Sequence, residues 1–260
     1  MMKETLVVIK IGGNIIEDTV TLEAILDSFA NLKGPKILVH GGGKKATELG
    51  NKLGITTTMV NGRRVTTSES LELAVMVYAG LVNKNIVAQL QGKGCDALGL
   101  SGADANVVTA KKRRVKEINF GYVGDVSKVN SQVISKFLYA NISPVFCALS
   151  HDGHGQLLNT NADTIAAEIA SSMSKDFEVT LFYCFEKKGV LKNIDEPDSV
   201  IKNITKESYK ELLAANTISE GMLPKIDNCF YALYNKVSKV CIGNLHMIGG
   251  KEKLFTTISL

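Results

Sequence analysis

This sequence of 260 residues lacks a long apolar run, paired cysteines and a strong excess of either charge. No uninterrupted apolar stretch approaches the roughly 20 residues that a transmembrane helix needs. The apolar stretch near the N-terminus is interrupted at Lys10 and is too short for a signal peptide. We therefore expect a soluble, cytoplasmic protein.

The cysteines are odd in number, and no two of them have the spacing of metal ligands. They are Cys95, Cys147, Cys184, Cys229 and Cys241. Four of the five lie in or beside apolar runs, which favours buried free thiols in a reducing compartment. We predict no metal held by the protein itself, and we interpret the loop that carries His151 and His154 as a turn.

The charge balance excludes nucleic acid as an obvious partner. The 30 basic and 26 acidic residues give a net charge of only +4. The one basic run, residues 111–114, precedes an alternating segment over residues 115–126, and this pattern indicates an exposed hairpin. A nucleic-acid surface would need a wider basic face with interleaved aromatic residues and would bind in a salt-dependent manner.

Apolar runs that alternate with helical spacing predict an α/β fold with a mainly parallel sheet covered on both faces. A chain of this length and 45% apolar content suits one core or two intimate lobes. Strands are predicted over residues 6–11, 37–39, 97–100, 107–109, 144–149, 179–185 and 237–242. Helices are predicted over residues 22–29, 43–53, 67–91, 131–140, 161–173, 205–215 and 224–235. The polar stretch over residues 171–177 is the best candidate for a lobe boundary.

Two glycine-rich turns follow predicted strands, at residues 10–13 (KIGG) and 40–43 (HGGG). Glycines at a strand end let backbone N–H groups approach an anion, and the following helix adds a positive dipole. Either turn alone is equally compatible with a simple tight connection, but the pair favours an anion site. The sequence has no G-x-x-x-x-G-K-[ST] motif, and the G-x-G-x-x-A match at residues 92–97 follows a helix instead of a strand.

Three further segments carry polar groups that suit an acidic substrate. Residues 61–66 hold the arginine pair Arg63 and Arg64, and arginine binds carboxylates bidentately. Residues 159–163 open a helix, where capping alone would explain either Asn or Asp. Lys225 in the first turn of a helix opposes the helix dipole, which favours an anion close by.

Taken in order along the chain, these segments resemble the acetylglutamate kinase family within the wider amino-acid kinase fold. The matching stretches span residues 10–225 and end with residues 121–126, 159–163 and 221–225. The resemblance implies a three-layer αβα sandwich around a mainly parallel sheet. It also implies an N-terminal lobe, residues 1–174, that binds the N-acyl-glutamate and carries a dimer interface, and an ATP-binding lobe, residues 175–260.

The resemblance also implies roles for individual residues. Lys10 and Lys225 would neutralise the transferring phosphoryl group, Asp163 would orient both lysines, and Gly13 would lend a backbone N–H. The residues implied to hold the acylated amino acid are Gly42, Gly43, Arg64 and Asn159. The residues implied to contact the nucleotide are Gly12, Glu186, Gly189, Leu191, Gly221 and Met222. MgATP would be the co-substrate, with the Mg²⁺ bound through the ATP phosphates.

The chemistry of the implied reaction agrees with these residue types. A γ-carboxylate, with a reference pKa of about 4.3, is already an anion and needs no general base. The obstacle is its repulsion from the polyphosphate, roughly 4 kcal/mol per charge pair at 4 Å in a medium of moderate dielectric. Catalysis should therefore consist of in-line positioning and cations, here two lysines and Mg²⁺.

Two positions depart from the family pattern. Glu186 stands in a strand-end turn where the family usually has an aspartate, so the nucleotide contacts of residues 184–191 are open. Arg63 stands where the family commonly has an apolar residue. An extra cation there would suit an acyl group with its own carboxylate, such as succinyl, whereas a solvated Arg63 would leave acetyl as the acyl group.

Other functions remain open from the sequence. One class is another enzyme of the amino-acid kinase fold, acting on uridylate, carbamate or aspartate, against which residues 61–66 and 121–126 argue. A second class is a non-catalytic regulator that binds acyl-glutamate, against which Lys10, Asp163 and Lys225 argue. An assay of ATP turnover separates these classes.

The segment over residues 70–82 is apolar nearly all round and must be covered on more than one side. Either other elements of the same chain cover it, or it meets its own copy in an isologous homodimer, which we favour. The shorter members of the family look dimeric. Because only nine residues precede Lys10, we expect no N-terminal helix of the kind found in ring-forming, arginine-inhibited members. The expectation is a homodimer insensitive to arginine.

Overall fold

A computed structural model describes residues 3–60, 63–115, 117–215, 218, 222–250 and 254–260, with side chains up to residue 248 and from residue 254. Its strands are β1 (Thr5–Ile11), β2 (Lys36–His40), β3 (Thr58–Val60), β4 (Arg63–Val65), β5 (Ala97–Leu100), β6 (Val108–Lys112), β7 (Gly124–Val129), β8 (Ser143–Phe146), β9 (Leu149–His151), β10 (Leu157–Asn159), β11 (Glu178–Cys184), β12 (Asn203–Ile204), β13 (Lys239–Gly243) and β14 (Thr256–Ile258).

The α-helices are α1 (Gly13–Glu17), α2 (Thr19–Asn31), α3 (Gly43–Lys52), α4 (Ser68–Ala74), α5 (Asn83–Gly92), α6 (Ser131–Tyr139), α7 (Ala162–Met173), α8 (Lys206–Ala214) and α9 (Leu223–Tyr234). A π-helical segment, Val75–Val82, joins α4 to α5 without a break, so the three form one long helix. Short 3₁₀ helices cover Asp104–Asn106 and Leu245–Gly250.

An eight-stranded sheet organises the fold, in the order β12-β14-β13-β11-β1-β2-β8-β5. The six strands from β13 to β5 run parallel, and β14 runs antiparallel to β13. The predicted mainly parallel sheet is therefore confirmed. A four-stranded sheet, β10-β9-β6-β7, and the hairpin β3-β4 lie beside it. Because parallel strands end at one edge, the carboxyl ends of β1, β2 and β11 meet there.

Burial of the central strands explains why they read as continuous apolar runs. All five residues of β2 are buried, and β1 is buried at Leu6 and from Val8 to Ile11. Helices α2 and α5 pack together in one layer, while α6, α7 and α9 form the other. This arrangement is the predicted αβα sandwich.

Several sequence-based boundaries needed correction. The strand expected over residues 144–149 is two strands, because β8 ends at Phe146 and β9 begins at Leu149 in the other sheet. The strand expected over residues 107–109 extends to Lys112 and pairs with β7, which completes the expected hairpin. The prediction missed β3, β4, β10, β12 and β14, which have at most three residues each.

The long helix also corrects the expectation about apolar length. Over Ser68–Gly92 its 25 residues are long and apolar enough, by length and composition alone, to cross a membrane. Core helices of soluble proteins pass the same test, and here Val77, Ile86 and Leu90 are fully buried or nearly so. We therefore interpret it as a core helix. The prediction of buried free cysteines is confirmed for all five.

Candidate active site

Three charged side chains meet at the carboxyl edge of the sheet. Lys10 lies near the end of β1, Asp163 in the first turn of α7 and Lys225 in the first turn of α9. The Lys10 Nζ lies 2.7 Å from Asp163 Oδ1, and the Lys225 Nζ lies 3.0 Å from Asp163 Oδ2. Thus one carboxylate holds two ammonium groups that are 215 positions apart in sequence, an arrangement that only the fold creates.

Local capping fixes the carboxylate of this cluster. The side chain of Asn161 accepts hydrogen bonds from the backbone N–H groups of Asp163 and Thr164, at 2.8 and 3.1 Å, and so starts α7. The hydroxyl of Tyr183 donates to the carbonyl of Asp163 at 3.0 Å. Pro224 starts α9 and commits Lys225 to its first turn.

The cluster carries a net positive charge in a nearly dry setting. Burial alone would raise the pKa of Asp163, but the charges and hydrogen bonds of Lys10 and Lys225 hold that pKa well below its usual range. Burial and the charge of Lys225 lower the pKa of Lys10, against the pull of Asp163. With Asp163 ionised, two lysines and one carboxylate leave one positive charge for an incoming anion.

Glycines keep the approach to this charge open. A Cβ on Gly12 would lie 3.9 Å from the Lys10 Nζ and 3.8 Å from the carbonyl oxygen of Cys184. Gly13 is the first residue of α1, directly beside it in sequence. A side chain on Gly12 would therefore lie in van der Waals contact with the ammonium group that an anion has to reach.

Arg64 is held in place from several sides. Its Nη1 donates to Thr57 Oγ1 at 2.7 Å, and its Nη2 donates to the carbonyl of Gly43 at 2.9 Å and to Thr47 Oγ1 at 2.7 Å. The guanidinium thereby connects the hairpin β3-β4 to the start of α3. Asn159 belongs to the same region, since its Nδ2 donates to Thr66 Oγ1 at 3.0 Å.

A cavity of about 370 Å³ lies between these groups. It contains four predicted substrate-binding residues, namely Gly42, Gly43, Arg64 and Asn159. The remaining lining residues include Arg63, Tyr78, Arg113, Val123 and Asp227. The structure thus brings together the predicted acyl-amino-acid residues, on the Lys10–Asp163–Lys225 side of the sheet.

Residues 121–126 pack beside this cavity and support its lining. Gly121 has φ +70°, and a Cβ there would lie 2.1 Å from the carbonyl oxygen of Thr66. Only glycine permits this close approach, in which Tyr122 donates to the Thr66 carbonyl and Thr66 donates to the Phe120 carbonyl. The glycine therefore fixes the backbone at Thr66, two residues after Arg64.

The predicted nucleotide-binding residues that the structure describes do not line this cavity, unlike the predicted substrate-binding residues. Glu186 is exposed just after β11, and Met222 precedes the first turn of α9. Gly189 is explained by packing, because a Cβ there would lie 2.6 Å from Val200 and 2.7 Å from Thr256 Oγ1. Leu191 forms an isolated bridge with Val200. Gly221, like residues 61 and 62 of the arginine motif, lies outside the described residues.

Sequence reasoning missed four residues of the site: Tyr78, Asn83, Arg113 and Asp227. Asn83 offered little signal, because a buried amide must find partners but the same helix also carries Asn85, Gln89 and Gln91. The other three had none, since a tyrosine, an arginine in a basic run and a helical aspartate are ordinary surface residues. His40 was noted in the glycine motif without a role.

Comparisons with known proteins agree with this geometry. A sequence model described as the amino acid kinase family matches residues 5–244. The acetylglutamate kinase of Phocaeicola vulgatus is 53% identical over 241 residues, which cover 93% of this chain and 94% of that protein. The acetylglutamate kinase of Bacteroides fragilis is 50% identical over 252 residues, with coverage of 96% and 97%.

A solved structure gives the same result for the fold. The crystal structure of smu.665 from Streptococcus mutans UA159 superposes with a TM-score of 0.79 at 29% identity and covers 98% of both chains. The family model and the two kinases each span more than nine-tenths of this chain. This chain therefore belongs to the amino acid kinase family and, within it, to the acetylglutamate kinases.

Proposed function

We propose that this enzyme transfers the γ-phosphoryl group of ATP to the γ-carboxylate of N-acetyl-L-glutamate, or a related N-acyl-glutamate, in arginine biosynthesis. The product is an acyl phosphate. The observation that carries the proposal is the cluster of Lys10, Asp163 and Lys225 beside a cavity that contains Arg64.

The reaction needs no proton transfer to begin. The attacking carboxylate is an anion near neutral pH, and one of its oxygens forms the bond to the γ-phosphorus while the bond to the ADP oxygen breaks. Lys10 and Lys225 offset the charge that spreads over the phosphoryl oxygens. Asp163 holds both ammonium groups in place, at 2.7 and 3.0 Å, and a backbone N–H of Gly13 completes the set.

The acyl-glutamate lies in the cavity with its γ-carboxylate toward Lys10 and Lys225. Arg64 binds the other carboxylate, with Gly42, Gly43 and Asn159 around it. Three N–H groups of Arg64 already serve Thr57, Thr47 and Gly43. A substrate carboxylate therefore binds the positive charge of a guanidinium that is fixed in advance, which reduces the ordering cost of binding.

The nucleotide binds across the strand-end turn after β11 and the start of α9, near Gly12, Glu186, Gly189, Leu191, Gly221 and Met222. Mg²⁺ enters with ATP and is held by its phosphates. Asp163 is a poor metal ligand, because each of its oxygens faces a lysine. Among the described residues, no three His, Cys, Asp or Glu side chains group together as a protein metal site would require.

The two substrates divide the chain into lobes over residues 1–174 and 175–260, which share one sheet through the pairing of β1 with β11. Five free, buried cysteines suit a cytoplasmic location.

The enzyme is proposed to act as a homodimer through the long helix. The helix is largely covered by its own chain, but Met76 and Leu81 keep 54% and 47% of their surface exposed. These apolar side chains and the exposed Gly80 suit contact with a second copy. Sedimentation at micromolar concentration should give a dimer, whereas a monomer or a hexamer would contradict this assembly.

The acyl group is tested at Arg63, which lines the cavity and whose side chain makes no hydrogen bond or ion pair to the described residues. If the acyl group carries a carboxylate, Arg63→Ala should raise KM selectively for N-succinyl-glutamate. Equal effects on KM for N-acetyl- and N-succinyl-glutamate would show that Arg63 is solvated and does not bind the acyl group. Arg114→Ala is the matched control, because Arg114 is exposed and does not line the cavity.

ATP turnover tests the function as a whole. ADP should form in the presence of N-acetyl-glutamate and not with uridylate, carbamate or aspartate. Binding of acyl-glutamate without ADP formation would favour the non-catalytic regulator.

A further inference from the structure

The π-helical segment of the long helix changes which residues share a face. At its end the backbone N–H of Asn83 donates to the carbonyl of Tyr78, five residues earlier. In an α-helix, residues five apart are separated by about 140° around the axis. The wider π turn brings them closer to one face, so Tyr78 and Asn83 can contact the same region of the protein.

That region is the glycine loop, residues 41–43, at the start of α3. The ring of Tyr78 packs directly on Gly42, where a Cβ would lie 2.6 Å from the ring Cδ1. A Cβ on Gly43 would have the Tyr78 hydroxyl at 3.8 Å and the Arg64 Nη2 at 3.7 Å. Tyr78 is 4% exposed and lines the cavity.

The hydroxyl of Tyr78 also interacts with Arg64. Burial raises the pKa of Tyr78, and the charge and hydrogen bond of Arg64 oppose that rise. The same Arg64 donates to the carbonyl of Gly43. Tyr78 therefore contacts the loop and the guanidinium together.

Asn83 holds the other end of the loop through a buried histidine. Its Nδ2 donates to His40 Nε2 and to the carbonyl of Val145, both at 2.9 Å. His40 Nδ1 then donates to the carbonyl of Gly41 at 2.7 Å. Asn83 is 1% exposed and His40 is fully buried, so water does not compete for these bonds.

A run of three glycines needs such support. Glycine loses more backbone freedom on ordering than any other residue, and residues 41–43 have no side chains with which to fix themselves. If neighbouring side chains did not hold this loop, substrate binding would have to order it. The entropy lost in ordering would weaken binding.

We infer that Tyr78 and Asn83 are positioning residues for the acyl-glutamate, and that the π-helical segment exists to place both of them against the glycine loop and Arg64. This inference rests on the proposed function. On this inference, the buried face of the long helix holds the glycine loop in its binding conformation. The opposite, exposed face carries Met76 and Leu81.

Tyr78→Phe is the first test, because it keeps the ring on Gly42 and removes only the hydroxyl beside Arg64. KM for N-acetyl-glutamate should rise about tenfold, as for a lost hydrogen bond to a charged group, while kcat and KM for ATP stay within about twofold. The exposed Tyr139→Phe should change nothing. A lower melting temperature with an unchanged KM would reduce Tyr78 to a structural role and overturn the inference.

A double-mutant cycle adds a readout that packing alone would not move. In an Arg64→Met background, Tyr78→Phe should have no further effect on KM, because the hydroxyl acts through the guanidinium. Additive effects would contradict the inference. Wild-type enzyme that forms no acyl phosphate would refute the proposed function instead, so the two failures are distinguishable.

Asn83→Ala tests the second contact, with the exposed Asn85→Ala on the same helix as its control. We expect a rise of about tenfold in KM for N-acetyl-glutamate for Asn83→Ala and none for Asn85→Ala. Equal KM values in both variants would contradict the role of Asn83. If Asn83→Ala does not fold, Tyr78→Phe still decides the inference.

Discussion

The proposed acyl-glutamate side and the proposed nucleotide side of the site are built differently. On the acyl-glutamate side, Arg64 makes three hydrogen bonds and Tyr78 and His40 are almost completely buried. On the nucleotide side, the turn after β11 is exposed at Glu186, and Gly189 serves the packing of Thr256. The first side is held in place by buried side chains and hydrogen bonds, whereas the second lies in turns, of which the one after β11 is exposed at Glu186.

This difference predicts which substitutions should change KM for the substrate and which should change kcat. A pre-formed pocket recognises a small, flexible di-acid with little ordering cost, so losses there should appear in substrate KM. In the proposed mechanism the Lys10–Asp163–Lys225 cluster lies between the two sides and acts on the charge of the transition state, so losses there should appear in kcat.

The largest effect is expected at the cluster itself. Lys10→Ala and Lys225→Ala should each lower kcat at least about tenfold, with smaller effects on either KM, because the charge they neutralise grows in the transition state. The double variant should lose about a hundredfold or more. Steady-state kinetics with Lys52→Ala, an exposed lysine of α3, provide the control. Near-normal kcat in both single variants would remove these lysines from the reaction.

The next effect concerns the stability of the acyl side as the pH falls. Burial lowers the pKa of His40 from 6.5 to about 4, so its contribution is present above pH 6.5 and is lost as the pH falls toward 4. At about pH 5 this should lower the free energy of unfolding by about 2 kcal/mol relative to pH 7. The depressed pKa of Asp163 also stabilises the folded protein, but that contribution is lost only as the pH falls below the ordinary value of 3.8. The two pH ranges are therefore separate.

Urea unfolding at the two pH values measures this loss, and His40→Gln should remove it. A histidine titration by NMR provides a second readout if that variant does not fold. A titration midpoint near pH 6.5 for His40 would show that water reaches the acyl-glutamate side. It would contradict the view that this side is more tightly built than the nucleotide side.

A smaller effect separates the two substrates. Arg64→Ala should raise KM for the acyl-glutamate about tenfold with little change in KM for ATP, since carboxylate binding is present in the ground state and the transition state alike. Arg114→Ala serves as control. If only KM for ATP changed, the assignment of the two lobes would be reversed.

The smallest effect is expected on the nucleotide side. Glu186 is exposed, so Glu186→Gln should change KM for ATP by about threefold or less and leave KM for acyl-glutamate unchanged. A loss comparable to that of Arg64→Ala would show that the nucleotide turn is as strictly built as the acyl pocket.

The sequence predicted the parallel sheet and most helices, because β1, β2 and β11 are buried runs and α7 and α9 begin with clear capping and proline signals. It also predicted that Lys10 and Lys225 would lie beside Asp163, and the structure places them 2.7 and 3.0 Å from its carboxylate. It did not predict β3 or β4, which are three residues long and contain no buried residue.

The roles of Tyr78 and Asn83 could not be predicted for a physical reason. Helical periodicity assumes 3.6 residues per turn, and under that assumption the two residues lie on different faces. The π-helical segment changes the phase, and nothing in its run of apolar residues marks the change. The nucleotide contacts stayed open because Glu186 departs from the pattern and exposed loops leave no periodic signal.

The most direct test of the account is to trap the product. Wild-type enzyme, ATP, Mg²⁺ and N-acetyl-glutamate are incubated with hydroxylamine, which converts an acyl phosphate to a hydroxamate. The account predicts hydroxamate in proportion to ADP, at least about tenfold less with Lys225→Ala, and none with free glutamate, which lacks the acyl group. ADP without hydroxamate, or no ADP with any N-acyl-glutamate, would contradict it.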